Sequence, residues 1–205
     1  MKLYDSIGPN PHVVRMFAAE KGLDLSVVKV DLMSGENRRG DYLMKKNVSG
    51  TTPALELDDG TIVAEITVIA EYLEELHPLP PLIGTTPEQR AETRMWTRRI
   101  DLGYVEPMTN GFRATQGRKM FESRVPLVGR EGGEELKGIA GAKLLWFDGQ
   151  LASRDYVCGD RFTLADVLLY CFVAFGETIG QPVPDGAKWL PDWLTRVRAR
   201  PSAAA

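Results

Sequence analysis

Cysteine and histidine are scarce in this chain, with two of each among 205 residues. Cys158 and Cys171 are too far apart for a C-x-x-C redox motif or a cysteine zinc site, and Cys171 lies in the apolar run LLYCFVAF, where a buried, unreactive thiol is ordinary. His12 and His77 are too few for a histidine metal site or a Ser-His-Asp arrangement, so no metal is expected. Basic charge is not in excess either. With 25 Lys and Arg against 28 Asp and Glu, the net charge is −3, which argues against a nucleic-acid binder or an anionic-membrane binder. No run approaches the roughly 18 apolar residues that a membrane span needs. The first residues, MKLYDSIG, lack the apolar stretch of a secretory signal, and a cytoplasmic protein is expected. Internal repeats are missing, and low complexity is confined to the terminal SAAA.

What remains is an ordinary globular composition, 43% hydrophobic and 26% charged, enough for one large domain or two small ones. The first part of the chain alternates strand and helix signals. KLYDS reads as a strand, and Pro11 to Gly22 as a helix with Val13, Val14, Phe17 and Ala18 on one side. LSVVKVDL is β-branched and reads as a second strand, followed by a polar loop and short helix in MSGENRRGDYLMKKN. In PALELDDGTIVAE, Leu55 and Leu57 alternate with acids, and Asp59-Gly60 signals a tight hairpin. Ile66, Ile69, Ala70, Leu73 and Leu76 then mark a helix over about 65–77. The proline-rich HPLPPLIGTTPEQR breaks this rhythm as a linker, and the remaining segments favour helices throughout.

Two local features are mechanically clear. Thr163 and Asp166 have the spacing of a capping box, with Phe162 and Val167 placed as its hydrophobic staple; the helix they start is apolar nearly all round and should be the buried centre of its domain. At the other end of the chain, Asn10 between two prolines in SIGPNPHVVRMF reads as a helix cap followed by proline at the first helical position. A helix start concentrates partial positive charge and N–H donors, so an anion in front of Asn10 would be stabilised.

The order βαβ-α-ββ-α, a proline opening the third strand, and a proline-rich linker into a helical domain together resemble the glutathione S-transferase family. NVSGTTPALELDDG is similar to that family's N-P-x-G-x-V-P-x-L-x-x-D-D-G stretch, AEITVIAEYLEE to its E-S-x-A-I-x-x-Y-L-E-E helix, and FTLADVLLY to its capping-box helix. The resemblance implies a thioredoxin-like domain over 1–78, a linker over 79–87 and an all-helical domain over 88–205. It implies glutathione as co-substrate, no metal, and a homodimer.

The same resemblance assigns residues. Thr52-Pro53 would be a cis peptide whose preceding backbone pairs with the cysteinyl part of glutathione as an added strand would, with Thr51 beside it. Glu65 would hold the γ-glutamyl ammonium, and the Ile66 N–H and Thr67 the γ-glutamyl carboxylate. Asn37 and Arg39 would hold the glycine carboxylate, with Arg38 left solvated. A small hydrophobic electrophile would sit against the first long helix of the second domain, near Trp96, Arg99, Tyr104 and Arg113.

Departures from the family pattern bear on the chemistry. Gly8 occupies the usual serine position and Asn10 the bacterial cysteine position; Ile66 replaces a serine, Val48 a proline, and Thr52 an apolar residue. GPNP resembles the T-P-N stretch of nu-class-like bacterial members, in which an asparagine amide faces the sulfur. An amide can donate to a thiolate but cannot remove a proton, so the expected chemistry is thiolate stabilisation by Asn10, with Ser6 a weaker candidate. Three readings follow: a glutathione transferase; a glutathione-dependent disulfide or peroxide reductase, isomerase or dehalogenase; and a non-catalytic binding or interaction module on the same fold.

Overall fold

The computed structural model describes all 205 residues. They divide into two compact units, Met1–Ile83 with Pro201–Ala205, and Gly84–Arg200. No helix is long and apolar enough to cross a membrane.

In the first unit, β1 (Lys2–Asp5), β2 (Ser26–Lys29), β3 (Ala54–Glu56) and β4 (Ile62–Ala64) form one sheet in the order β2-β1-β3-β4. β1 and β2 are parallel, joined through α1 (Pro9–Glu20); the other pairs are antiparallel. Leu3 and Leu55 face each other across β1 and β3, and with Val13, Val14 and Phe17 of α1 and Ile69 and Leu73 of α2 (Ile66–Leu76) they make up a buried apolar core. Such alternating strand residues and one-sided helix stripes are what bury a mixed sheet under helices. β2 is the outer strand, and its residues stay exposed.

The β3–β4 connection is longer than the tight turn expected at Asp59-Gly60. The Gly60 N–H bonds the Leu57 carbonyl and the Leu57 N–H bonds the Thr61 carbonyl, with Gly60 at φ 87°. This is a type I turn followed by a left-handed residue, a three-residue loop that glycine favours at its last position. The α1 boundary also differs: the helix begins at Pro9, two residues early, because Gly8 is its N-cap.

The proline-rich segment is tied down along its first half. Lys21 and Glu74, both side chains buried, form an ion pair; the Lys21 ammonium also donates to the carbonyls of His77 and Pro80, each at 2.7 Å, and the Glu74 carboxylate accepts from the N–H groups of Leu82 and Ile83. A buried pair of this kind requires its remaining hydrogen-bonding capacity to be met, and the linker backbone meets it. The Pro201–Ala204 turn returns to this unit, where the Ala203 carbonyl pairs with His12 and Ser202 donates to Glu20.

The second unit is helical: α3 (Pro87–Ile100), a wide turn over Asp101–Val105, α4 (Glu106–Ala114), α5 (Arg118–Phe121), α6 (Arg130–Leu151), α7 (Leu164–Thr178) and α8 (Trp189–Arg198). α7 is buried along most of its length, as its composition requires, and starts on the Thr163–Asp166 capping box. The Asp166 carboxylate is fully buried and accepts from the Thr163 N–H, the Thr163 hydroxyl, the Val157 N–H and the Trp193 indole. Asp148 plays a related part for α8, accepting the N–H groups of Lys188, Trp189 and Leu190 at 2.8–3.0 Å.

Candidate functional site

The ends of β1 and β3 bring several of the assigned residues together. The Thr52-Pro53 bond is cis. Pro53 has no N–H, so the β1–β3 ladder stops at the Tyr4–Ala54 pair. Two residues further on, the hydroxyls of Ser6 and Thr52 meet at 2.5 Å. The Thr52 N–H and C=O take no part in a hydrogen bond within the chain, whereas the preceding Thr51 carbonyl accepts from the Tyr42 hydroxyl at 2.6 Å and the Asn47 amide at 3.0 Å. Thr51 Oγ1 is held by Asn47 and Ser49. One peptide is thus clamped and the next is left open as a strand edge, the arrangement onto which an extended peptide can add.

Glu65 sits beyond β4 at φ 69°, the one non-glycine residue with positive φ. A left-handed glutamate costs on the order of 1 kcal/mol or more and persists only where the surroundings impose it. Its side chain is exposed, and its carbonyl accepts the Ile69 N–H to open α2. No side chain caps α2; the N–H groups of Ile66, Thr67 and Val68 therefore remain available at the positive end of the helix dipole. Ile66 and Thr67 are half-buried.

Asn10 is the second residue of α1, not its cap, and no side chain caps this helix. The Asn10 amide is half-buried. Pro9 and Pro11 carry no N–H, so two of the four donors a helix start normally offers are deleted, and Asn10 alone supplies both a backbone and a side-chain donor there. Gly8 has φ 108° and ψ 173°, a region essentially closed to other residues; this accounts for the missing serine. Arg15 of α1 pairs with the fully buried Asp5 and donates to the Ser6 carbonyl, and Lys29 of β2 pairs with the same carboxylate, fixing α1 against the end of β1.

Other assigned residues lie differently from expectation. Asn37 is buried and donates to the Gly50 carbonyl at 2.5 Å, a strut for the 47–51 loop instead of a surface donor. Arg38, expected to be solvated, is half-buried with its stem against Gly50, while Arg39 is exposed. In the helical unit, Trp96 is a core ring, 4% exposed, with the guanidinium groups of Arg99 and Arg154 at 5.0 and 5.5 Å from it; this removes it from the electrophile set. Tyr104 is also buried, donating to the Phe172 carbonyl at 3.3 Å, and burial pushes its hydroxyl pKa up. It borders a cavity of about 280 Å³ whose lining includes Lys137, Leu144, Gln181 and Pro182. Arg99 is exposed and Arg113 half-buried, its guanidinium 5.4 Å from the Phe121 ring and bonded to Asn110. The Ser6–Thr52 contact and the Tyr42 clamp had no signal in the sequence, because their partners are separated by 46 and 9 residues along irregular loops.

Comparisons with known proteins cover both units. Residues 7–76 match the glutathione S-transferase N-terminal domain and residues 126–201 its C-terminal domain. Glutathione S-transferase 2 of Saccharomyces cerevisiae is 37% identical over 207 residues, covering 98% of this chain and 87% of the relative. The crystal structure of Gtt2 from the same yeast superposes with a TM-score of 0.92 at 35% identity, covering 100% of this chain and 99% of that one. A glutathione transferase homologue from Sulfitobacter with bound glutathione gives a TM-score of 0.81 at 24% identity, over 99% and 94% of the two chains. This chain belongs to the glutathione S-transferase family. Its fold is that family's mixed four-stranded sheet with helices, followed by a helical domain.

Proposed function

We propose that the protein binds reduced glutathione and uses its thiolate as a nucleophile toward a small apolar electrophile. The observation that carries this reading is the open Thr52 peptide ahead of cis-Pro53, beside a helix start that no side chain caps. The cysteinyl N–H and C=O of glutathione pair with the Thr52 backbone. Its γ-glutamyl carboxylate takes the N–H groups of Ile66 and Thr67 with the Thr67 hydroxyl, and its ammonium takes the Glu65 carboxylate. Arg39 serves the glycine carboxylate, with Asn37 acting through the Gly50 loop.

Asn10 donates to the sulfur. A thiol like that of cysteine titrates near 8.5, and donors at a helix start lower that value. The thiol proton leaves to water, because an amide cannot accept it; the sulfur lone pair then forms the new bond to the electrophilic atom. The bond broken there releases its electron pair with a departing anion or, in an addition, leaves it on the neighbouring atom, which takes a proton from water. Arg99 and Arg113 are the candidates for contact with the electrophile; Tyr104, as buried as Trp96, borders only the cavity within the helical unit. The protein acts as a cytoplasmic homodimer in this reading.

A second reading, a glutathione-binding disulfide reductase or a module without turnover, is favoured by one observation: neither Gly8 nor Asn10 offers a base. Calorimetric titration with reduced glutathione and, separately, with its disulfide tests both. Binding of the reduced form supports the transferase; tighter binding of the disulfide supports the reductase. Failure of both at millimolar concentration overturns the glutathione site altogether.

A further inference from the structure

The hydroxyl pair of Ser6 and Thr52 joins two loops at the point where backbone pairing cannot. Pro53 ends the β1–β3 ladder, and beyond it the two strands are held at this level by side chains, Ser6 Oγ to Thr52 Oγ1 at 2.5 Å. Ser6 is 6% exposed and donates to the Ile7 carbonyl at 3.2 Å, which makes the Thr52 hydroxyl the donor within the pair. Its own carbonyl accepts from Arg15 of α1. The chain of contacts therefore runs from Thr52 through Ser6 to Ile7 and Arg15, and so spans the segment that leads into Asn10. A threonine before the cis proline is a departure from the apolar residue of the family pattern, and this pair gives its hydroxyl a use.

We propose that Ser6 and Thr52 act together as a positioning pair: they lock the loop entering α1 to the turn that presents the Thr52 backbone, and thereby fix the Asn10 amide relative to the cysteinyl sulfur. The inference rests on the glutathione reading above. The Ser6 hydroxyl, the weaker candidate for the sulfur by sequence, is taken up by Thr52 Oγ1 and the Ile7 carbonyl, and the pair works through the placement of Asn10.

The test is a set of purified variants, Ser6→Ala, Thr52→Val, Thr52→Ser and the Ser6→Ala/Thr52→Val double variant, each with glutathione and a chromogenic chloronitroarene. The readouts are the pH titration of the bound thiolate by ultraviolet absorbance and the split between kcat and KM for glutathione. Ser6→Ala and Thr52→Val are each expected to raise the thiol pKa by about one unit and lower kcat about tenfold, with KM changed by less than about twofold. The double variant is expected to be no worse than either single one, because the two groups form one contact. Thr52→Ser, which keeps the hydroxyl, should restore both readouts. If Thr52→Val does not fold, Ser6→Ala, which deletes only an oxygen, decides the matter.

Unchanged pKa and kcat in folded variants overturn the pairing role, as does a rise in KM alone. Wild-type protein that binds no glutathione overturns the glutathione reading and the pair with it; wild-type binding and turnover with unmoved variants overturn the pair only.

Discussion

The two units treat the ends of their helices differently. In the helical unit, α3 is capped by Thr86, α7 by the Thr163–Asp166 box, and α8 by the Asp148 carboxylate, which gathers three successive N–H groups from 40 residues away; the long α6 starts on Gly129 without a side-chain cap. In the sheet unit, neither α1 nor α2 has a side-chain cap. Polar groups at a helix start are normally satisfied internally or by water, and the sheet unit leaves both of its helix starts without a side-chain cap, beside the residues assigned to an anionic ligand. Unusual backbone accompanies both open starts, with the positive φ of Glu65 beside α2 and the φ of 108° at Gly8 beside α1, whereas the helical unit has positive φ only at glycines such as Gly84. Three helix starts of the helical unit are closed by side chains, and the sheet unit, which closes Lys21 and Glu74 elsewhere, closes none at the candidate site.

The contrast breaks most sharply if the sheet unit is opened where it is closed. Replacing Glu74 by Ala strands the buried Lys21 charge and the N–H groups of Leu82 and Ile83. It should cost about 3–5 kcal/mol, read as a shift in the denaturant midpoint; a loss below about 1 kcal/mol would show that the pair does not hold the 77–83 segment. At the open end, Asn10→Ala should lower turnover at least about tenfold, roughly 1.4 kcal/mol of transition-state stabilisation, with the thermal midpoint preserved. Unchanged kcat would remove Asn10 from the chemistry. In the helical unit, Thr163→Ala should cost about 1 kcal/mol in stability with glutathione affinity intact. A folded Thr163→Ala variant that no longer binds glutathione would contradict a purely structural role.

The smallest and most specific effect is one of sign with pH. Burial pushes the Asp166 carboxyl up to about 6, against the pull of its hydrogen bonds. The folded state therefore holds its proton more tightly than the unfolded one. Its contribution is fully present below about pH 4 and is lost as pH rises through 6. Glu56 in the sheet unit behaves oppositely. Hydrogen bonds from Lys46 and Tyr4 hold it down to about 2, and its contribution is present above about pH 4.3 and lost as pH falls toward 2. Denaturation series across this range should show the cost of Asp166→Asn shrinking as pH rises and that of Glu56→Gln shrinking as pH falls. Parallel slopes would refute the assignment.

Much of the fold was legible because it depends on local rules. The strands at Lys2–Asp5 and Ala54–Glu56, the α2 stripe of Ile69, Ala70 and Leu73, and the capping box before α7 all follow from spacing within a few residues. The α1 start was misread for a physical reason: asparagine favours the cap position in general, yet here glycine at φ 108° makes the turn and leaves Asn10 inside the helix. The site was legible only as positions. That Asn37 turns inward to Gly50, that Arg38 is half-buried instead of solvated, and that Ser6 meets Thr52 depend on how distant loops come together, and no local pattern encodes them.

The two prolines that flank Asn10 have a spectroscopic consequence. Neither contributes an amide proton, so from Pro9 to Pro11 the backbone gives a single cross-peak in a proton–nitrogen correlation spectrum, that of Asn10. Its side-chain NH₂ adds one characteristic pair. A molecule arriving at the start of α1 would move these isolated signals together, giving an internal reporter of occupancy that needs neither a label at the site nor a turnover assay.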